Sequence, residues 1–154
     1  MRRLILKLLI GSLTVIALAG IFLYAGVGCS TTMAWGLEAG VYDTETANNG
    51  TFVFRGEIGM TGSTGQPEVR DVDLVFLAAN GSSLGTVPVG DFGISAQRSR
   101  NVTVRLPERP HRIEPRPGRI DAEPDAEWYV VGLAWTGDRY EQDTLRTNPK
   151  PWYC

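Results

Sequence analysis

Beyond residue 50 the chain alternates between apolar and polar residues with a period of two, the mark of half-buried strands. Phe52, Phe54, Ile58 and Met60 alternate with Val53, Arg55, Glu57 and Gly59, which predicts a first strand beginning near Thr51, with Gly56 on its apolar face read as a bulge. After a turn at Thr61 to Pro67, a second strand carries Val72, Leu74 and Phe76 against Asp71, Asp73 and Val75. Asn80-Gly81 predicts a tight hairpin turn with positive φ at both central residues. The third strand, Leu84 to Val89, contains Pro88, which cannot donate to a ladder and so predicts a sheet edge. Val102, Val104 and Leu106 against Asn101, Thr103 and Arg105 make a fourth. Trp128 to Trp135 is apolar on both faces; this predicts a central strand, with Trp128, Val130 and Gly132 deep in the core. Gly137-Asp138 then turns the chain into a last strand at Tyr140 to Leu145. Short strands, frequent turns and no helical period in this part predict an all-β antiparallel sandwich.

The first 28 residues follow a different pattern. From Leu8 to Val27 there is no charged residue, and the next charge after Lys7 is Glu38. A helix of about 20 residues spans about 30 Å, the thickness of a hydrocarbon core. Arg2, Arg3 and Lys7 precede this stretch, and basic flanks stay on the cytoplasmic side. The expected organisation is therefore a transmembrane or signal helix at 1–28, a spacer at 29–50 and a β-sandwich domain at 51–154 on the extracytoplasmic side of the cell membrane. Residues 30 to 50 are rich in Thr, Gly, Ala and Asn, and Trp35 is expected to rest at the lipid interface.

Arg2-Arg3-Leu4-Ile5-Leu6-Lys7 resembles a twin-arginine export signal. Ala25-Gly26-Val27-Gly28-Cys29 resembles the lipobox of lipoproteins, which makes Cys29 a lipidation candidate. Three outcomes stay open: an uncleaved helix, a lipoprotein, or a cleaved and released domain.

Composition narrows the function. The chain of 154 residues has room for one domain besides the anchor. Without Arg2, Arg3 and Lys7, 12 basic residues face 17 acidic ones, a net charge near −5. Such a balance argues against a nucleic-acid partner, which requires a basic footprint. Of those basic residues only Lys150 is lysine, a bias that a high-salt organism such as a haloarchaeon and GC-rich coding would both produce. Cys29 and Cys154 are too few for a disulfide framework or a zinc site.

The run from Glu57 to Val89, with Ile58, Pro67, Val69, Asp71-Val72, Leu74, Phe76, Asn80-Gly81 and Gly85, resembles the FxLYD modules and the water-stress domain of late-embryogenesis-abundant proteins. Both are immunoglobulin-like sandwiches of prokaryotic surface proteins. The resemblance implies an immunoglobulin-like fold and an envelope role, and transfers no catalytic residue.

Candidate chemistry is sparse. His111, the only histidine, lies in a loop between Pro110 and Arg112, with no Gly-x-Ser-x-Gly elbow or His-rich motif around it. Asp71 and Asp73 share the solvent side of a strand. Asp121, Glu123, Asp125 and Glu127 would line one face if extended and could hold calcium, but without the glycine and spacing of a calcium loop they read as a solvated acidic loop. Arg105, Arg109, Arg112, Arg116 and Arg119 lie among Pro107, Pro110, Pro115 and Pro117, which hold the segment extended. These arginines could meet an anionic partner, whether lipid headgroup, surface glycan or acidic envelope protein, or be neutralised by the acidic run that follows. Sequons at Asn49, Asn80 and Asn101 fall where exposure is expected and are glycosylation candidates. No catalytic residue, metal ligand or cofactor is predicted. The expected role is non-catalytic binding or structural support at the envelope; the alternatives are a small hydrolase or accessory subunit using carboxylates, and stress protection by fold analogy.

Overall fold

Alternation of inward and outward side chains builds eight strands among the described residues and no helix: β1 (Trp35–Thr46), β2 (Phe52–Thr61), β3 (Glu68–Leu77), β4 (Ser83–Phe92), β5 (Ser99–Leu106), β6 (Arg112–Asp121), β7 (Trp128–Trp135) and β8 (Tyr140–Asn148). The chain is seen in a computed structural model that describes residues 34–62, 67–93, 96–122 and 126–149, all within the unit Thr32–Pro149. The stretch from Leu8 to Val27, Cys29 and Cys154 lies outside the described residues, as do Glu123 and Asp125. The fold class is all-β, as the alternation predicts. The strands follow one hydrogen-bonded path, β4-β3-β6-β7-β1-β2-β5, with β8 added to β7. Pairing is antiparallel except where Trp35–Glu38 of β1 runs parallel to Trp128–Val131 of β7.

A single path replaces the two separate sheets of a simple sandwich, and β7 is the reason. One of its edges binds β8 along its whole length. The other is shared: β1 occupies it up to Val131, and β6 takes over at Leu133 and Ala134. Gly132 sits at the handover. A Cβ there would stand 2.4 Å from the Ile113 carbonyl oxygen, so glycine is what allows β6 to reach this edge. At the ends of the path β4 and β5 approach one another. The Arg100 guanidinium and the Gln97 amide both donate to the Val89 carbonyl, at 2.7 and 2.9 Å. The sheet thus nearly closes into a barrel.

The strand faces read from the sequence are the faces that are buried. Phe52, Phe54 and Ile58 of β2, Val72, Leu74 and Phe76 of β3, and Val102 and Leu106 of β5 all enter the core. Phe54 and Phe76 meet edge to face with centroids 5.4 Å apart, which ties β2 to β3 across it. Strand β4, with Pro88, ends the path as an edge.

Five expectations are corrected. The expected spacer contains β1, which pairs with β2 from Gly36 to Thr46 except at Tyr42, so strand structure among the described residues starts at Trp35 rather than near Thr51. Trp35 is 1% exposed and belongs to the core, not to a lipid interface. Trp128 is only partly buried and stacks on Trp35 with centroids 5.9 Å apart; Val130 and Gly132 are buried as expected. The bulge is on β1 instead of β2: Val41 pairs with Gly56 and Asp43 with Arg55, leaving Tyr42 without a partner. The Asn80-Gly81 turn has positive φ at the glycine alone. Its bonds, Gly81 N–H to the Ala78 carbonyl and Ala78 N–H to the Ser82 carbonyl, recur between Ala47, Gly50 and Thr51 in the β1–β2 hairpin. Both are longer hairpin loops ending in a left-handed glycine.

The proline-rich arginine segment also proves to be a strand, β6, paired along its length with β3. Prolines two residues apart lack donors on the same edge of a strand. Past Ile113 β6 keeps only β3 as a partner among the described strands, so Pro115 and Pro117 fit where the second edge is vacant.

Truncation of Trp35 to alanine is expected to cost about 3–5 kcal/mol and that of Trp128 clearly less, because only the former is wholly enclosed. Gly132→Ala should cost about 1–3 kcal/mol through overpacking against a carbonyl that cannot retreat without breaking the β6–β7 pairing. Urea unfolding followed by far-ultraviolet circular dichroism measures all three.

Candidate functional site

The arginines singled out by the sequence do not form one patch. Arg112 pairs with Asp143 of β8 and, at 3.6 Å, with Glu114. Arg116 meets Glu114 at 2.8 Å and Arg119 meets Asp121 at 2.7 Å. Side chains two apart in a strand share a face, so carboxylates within and beside the segment take up these charges, and an anionic partner would compete with them. Arg105 lies exposed on β5. Arg109 serves another purpose: its guanidinium lies 4.1 Å from the Trp135 ring centroid and 5.5 Å from that of Phe52, a cation held on aromatic faces. Beside it the Tyr140 hydroxyl donates to the Pro110 carbonyl at 2.7 Å. Burial raises the pKa of that hydroxyl, against the opposing pull of Arg109.

His111 is exposed, and its backbone does the work. Its N–H donates to the Leu77 carbonyl at 2.7 Å, and its carbonyl accepts from Trp135 N–H at 2.8 Å. Asp71 is exposed at an irregularity of β3, with φ of 52°, and its N–H donates to Asp91. Asp73 remains on the strand. Of the acidic run, Asp121 accepts from Arg119, and two members lie outside the described residues. Among the described residues no three His, Cys, Asp or Glu side chains are arranged to hold a metal ion.

Two grooves stand out. One, of about 420 Å³, opens where β6 departs from β7 and is lined by Gly118, Arg119, Trp128, Arg146 and Asn148; Arg146 lies over Trp128 at 5.2 Å. The other, of about 260 Å³, crosses the outer face of β1 and β2 and involves Glu38, Gly40, Tyr42, Glu57, Thr61 and Gln142. Pairing of Glu38 with Gly59 and of Gly40 with Glu57 puts the two carboxylates on a diagonal, with stems about 7–8 Å apart. Thr61 donates its hydroxyl hydrogen to Glu38 at 3.1 Å. A threonine has one such hydrogen, so the Tyr129 hydroxyl, 3.2 Å away, donates to Thr61. That chain orients the Glu38 carboxylate. Arg55, the nearest arginine in β2, is turned away to Asp43 and Glu45. Among the described ion pairs none involves Glu38 or Glu57. Tyr42, 63% exposed, overhangs the groove as the exposed large hydrophobic side chain of the described residues. A bulge re-aims the residue it carries, which accounts for that exposure.

None of this groove was singled out by the sequence, because its residues meet only when β1 pairs with β2. One signal was present: Asn49-Gly50 has the same turn chemistry as Asn80-Gly81 and marks the hairpin that joins those strands.

The three sequons are exposed. Asn49 and Asn80 each accept a backbone N–H two residues on, at 3.1 and 2.9 Å, through the side-chain oxygen, which leaves the amide nitrogen outward. Intact-mass analysis of protein from a glycosylating host is expected to find sugar on at least one, with Asn49 first. Stability should also depend on Tyr140 in alkali. A hydroxyl whose pKa is raised on folding supports stability below the ordinary tyrosine range, about 10, and that support is lost as pH rises through and above it. Tyr140→Phe should flatten this alkaline decline in melts recorded from pH 8 to 12. No family model matches the chain, and no curated protein or solved structure is significantly similar to it.

Proposed function

We propose that this chain is a membrane-tethered, extracytoplasmic module of immunoglobulin-like sandwich type that binds a partner at the cell envelope and does not catalyse. The observation that carries the binding reading is the groove on β1 and β2, where an exposed tyrosine and two carboxylates that enter none of the ion pairs among the described residues line the same space. Two antiparallel groups on the strand path, β1-β2-β5 and β4-β3-β6, which meet at β7, support the sandwich reading. The uncharged run from Leu8 to Val27 behind Arg2, Arg3 and Lys7 supports the tether.

A hydrolase using carboxylates is the second reading, favoured by the Glu38 and Glu57 pair. It is the weaker one, since an acid and base need distinct, sheltered environments, and these two share an open sheet face from which His111 is absent.

The protein should sediment with membranes and resist carbonate washing. Cys29→Ser tests the mode of attachment: release of the domain or blocked processing identifies a lipoprotein, whereas unchanged membrane retention identifies an uncleaved helix. Recovery of the wild-type protein in the soluble fraction would overturn the tether.

A further inference from the structure

Glycines in strands usually declare their reason. A Cβ on Gly36 would lie 2.1 Å from the Tyr129 ring, one on Gly56 would lie 2.2 Å from the Gly40 carbonyl oxygen, and one on Gly132 would meet Ile113. Gly40 is different. A Cβ there would find nothing closer than the Glu57 carbonyl oxygen at 3.8 Å, and Gly40 is not among the residues of positive φ. Neither packing nor backbone geometry requires glycine at this position, although glycine weakens a strand interior. A bare site within a strand is what close approach by a ligand requires, and Gly40 forms the floor of the 260 Å³ groove.

The walls define the ligand. Tyr42 offers an aromatic face with a polar tip, held outward by the β1 bulge. Glu38, fixed by the Thr61 and Tyr129 hydroxyls, and Glu57 only accept hydrogen bonds, whereas Thr61, Gln142 and the tyrosine hydroxyls can donate and accept. A row of vicinal hydroxyls, each both donor and acceptor, satisfies such a mixture. Two carboxylates without basic partners among the described residues repel acidic ligands and accommodate neutral or amine-bearing ones. A volume just below that of pockets for drug-sized ligands fits a single ring.

We propose that the Gly40 groove binds one pyranose unit of a non-acidic saccharide, its ring flat over Gly40 and against Tyr42, its hydroxyls on Glu38, Glu57 and Gln142. This rests on the binding reading above and names its ligand class.

The test is affinity electrophoresis of the full chain in detergent through gels containing a neutral glucan, mannan or galactan, or chitosan, with alginate as the acidic control and oligolysine as a cationic one. The expected result is retardation by at least one neutral or amine-bearing polysaccharide and none by alginate. Tyr42→Ala and Gly40→Val should each weaken the retardation at least tenfold while the melting temperature stays within about 3 °C of wild type, because a Cβ at residue 40 would meet only the Glu57 carbonyl oxygen, at an ordinary contact distance of 3.8 Å. Retardation unaffected by both variants would overturn the site. If no polysaccharide retards the protein but oligolysine binds in a Tyr42-dependent way, the saccharide is wrong and the groove remains a binding site. If nothing binds and cross-linking in native membranes is the same for wild type and Gly40→Val, the ligand class and the binding reading fall together.

Discussion

The shared edge of β7 is the constraint on which the rest of the structure depends. One strand edge offers one row of hydrogen-bonding groups, and here two strands from different parts of the chain divide it, with Gly132 between them. Were β6 to run the whole length of β7, β1 would lose its parallel partner and Trp35 its cover from Trp128. Were β1 to take all of it, the β3, β4 and β6 group would be joined to the rest by side chains alone. The division draws the strands into one path and leaves the second edge of β6 open beyond Ile113 among the described strands, where Pro115 and Pro117 withhold their donors at no loss. A proline-containing interior strand, ordinarily a contradiction, is thereby reconciled with the sheet.

What could be read from the sequence follows from how each strand is buried. β2, β3 and β5 have one face in the core and one in water, so their side chains alternate cleanly and their positions were legible. β1 begins with the same alternation in Trp35, Leu37, Ala39 and Val41, but the bulge at Tyr42 breaks its period, and its outward positions hold Glu38 and Gly40 rather than a run of polar residues. It therefore resembled a linker. β6 was hidden by its prolines, whose meaning depends on which edge has a partner, a property of the assembled sheet. Trp128 was misplaced for a related reason: two tryptophans compete for one region of the core, and sequence alone does not say that Trp35 takes the enclosed side.

The candidate site was illegible for a stricter reason. Its members are ordinary residues, two glutamates, a glycine and a tyrosine, spread over β1 and β2, and pairing alone sets them side by side. That Gly40 lacks a packing reason is visible only after the other glycines have been assigned theirs. The arginines, by contrast, were conspicuous in the sequence because they crowd into one proline-rich stretch, yet local alternation with Glu114 and Asp121 already supplies counter-charges to Arg112, Arg116 and Arg119, and Arg109 rests on aromatic rings.

The parallel contact between β1 and β7 has a mechanical consequence. A pull on the chain ahead of Trp35, directed along β1, runs parallel to the strand contact between Trp35–Glu38 and Trp128–Val131. Those bonds are loaded in shear, so they share the tension and must fail together, whereas a hairpin peeled from its open end yields one bond at a time. Resistance to forced unfolding is set by the rate of unfolding rather than by equilibrium stability, and this patch would contribute to that rate together with the longer β1–β2 ladder, which the same pull loads along its length. The Gly40 groove lies on the same strand, just beyond the patch. Tension between whatever holds the chain ahead of Trp35 and anything seated in the groove would pass along β1 itself and bypass most of the sheet.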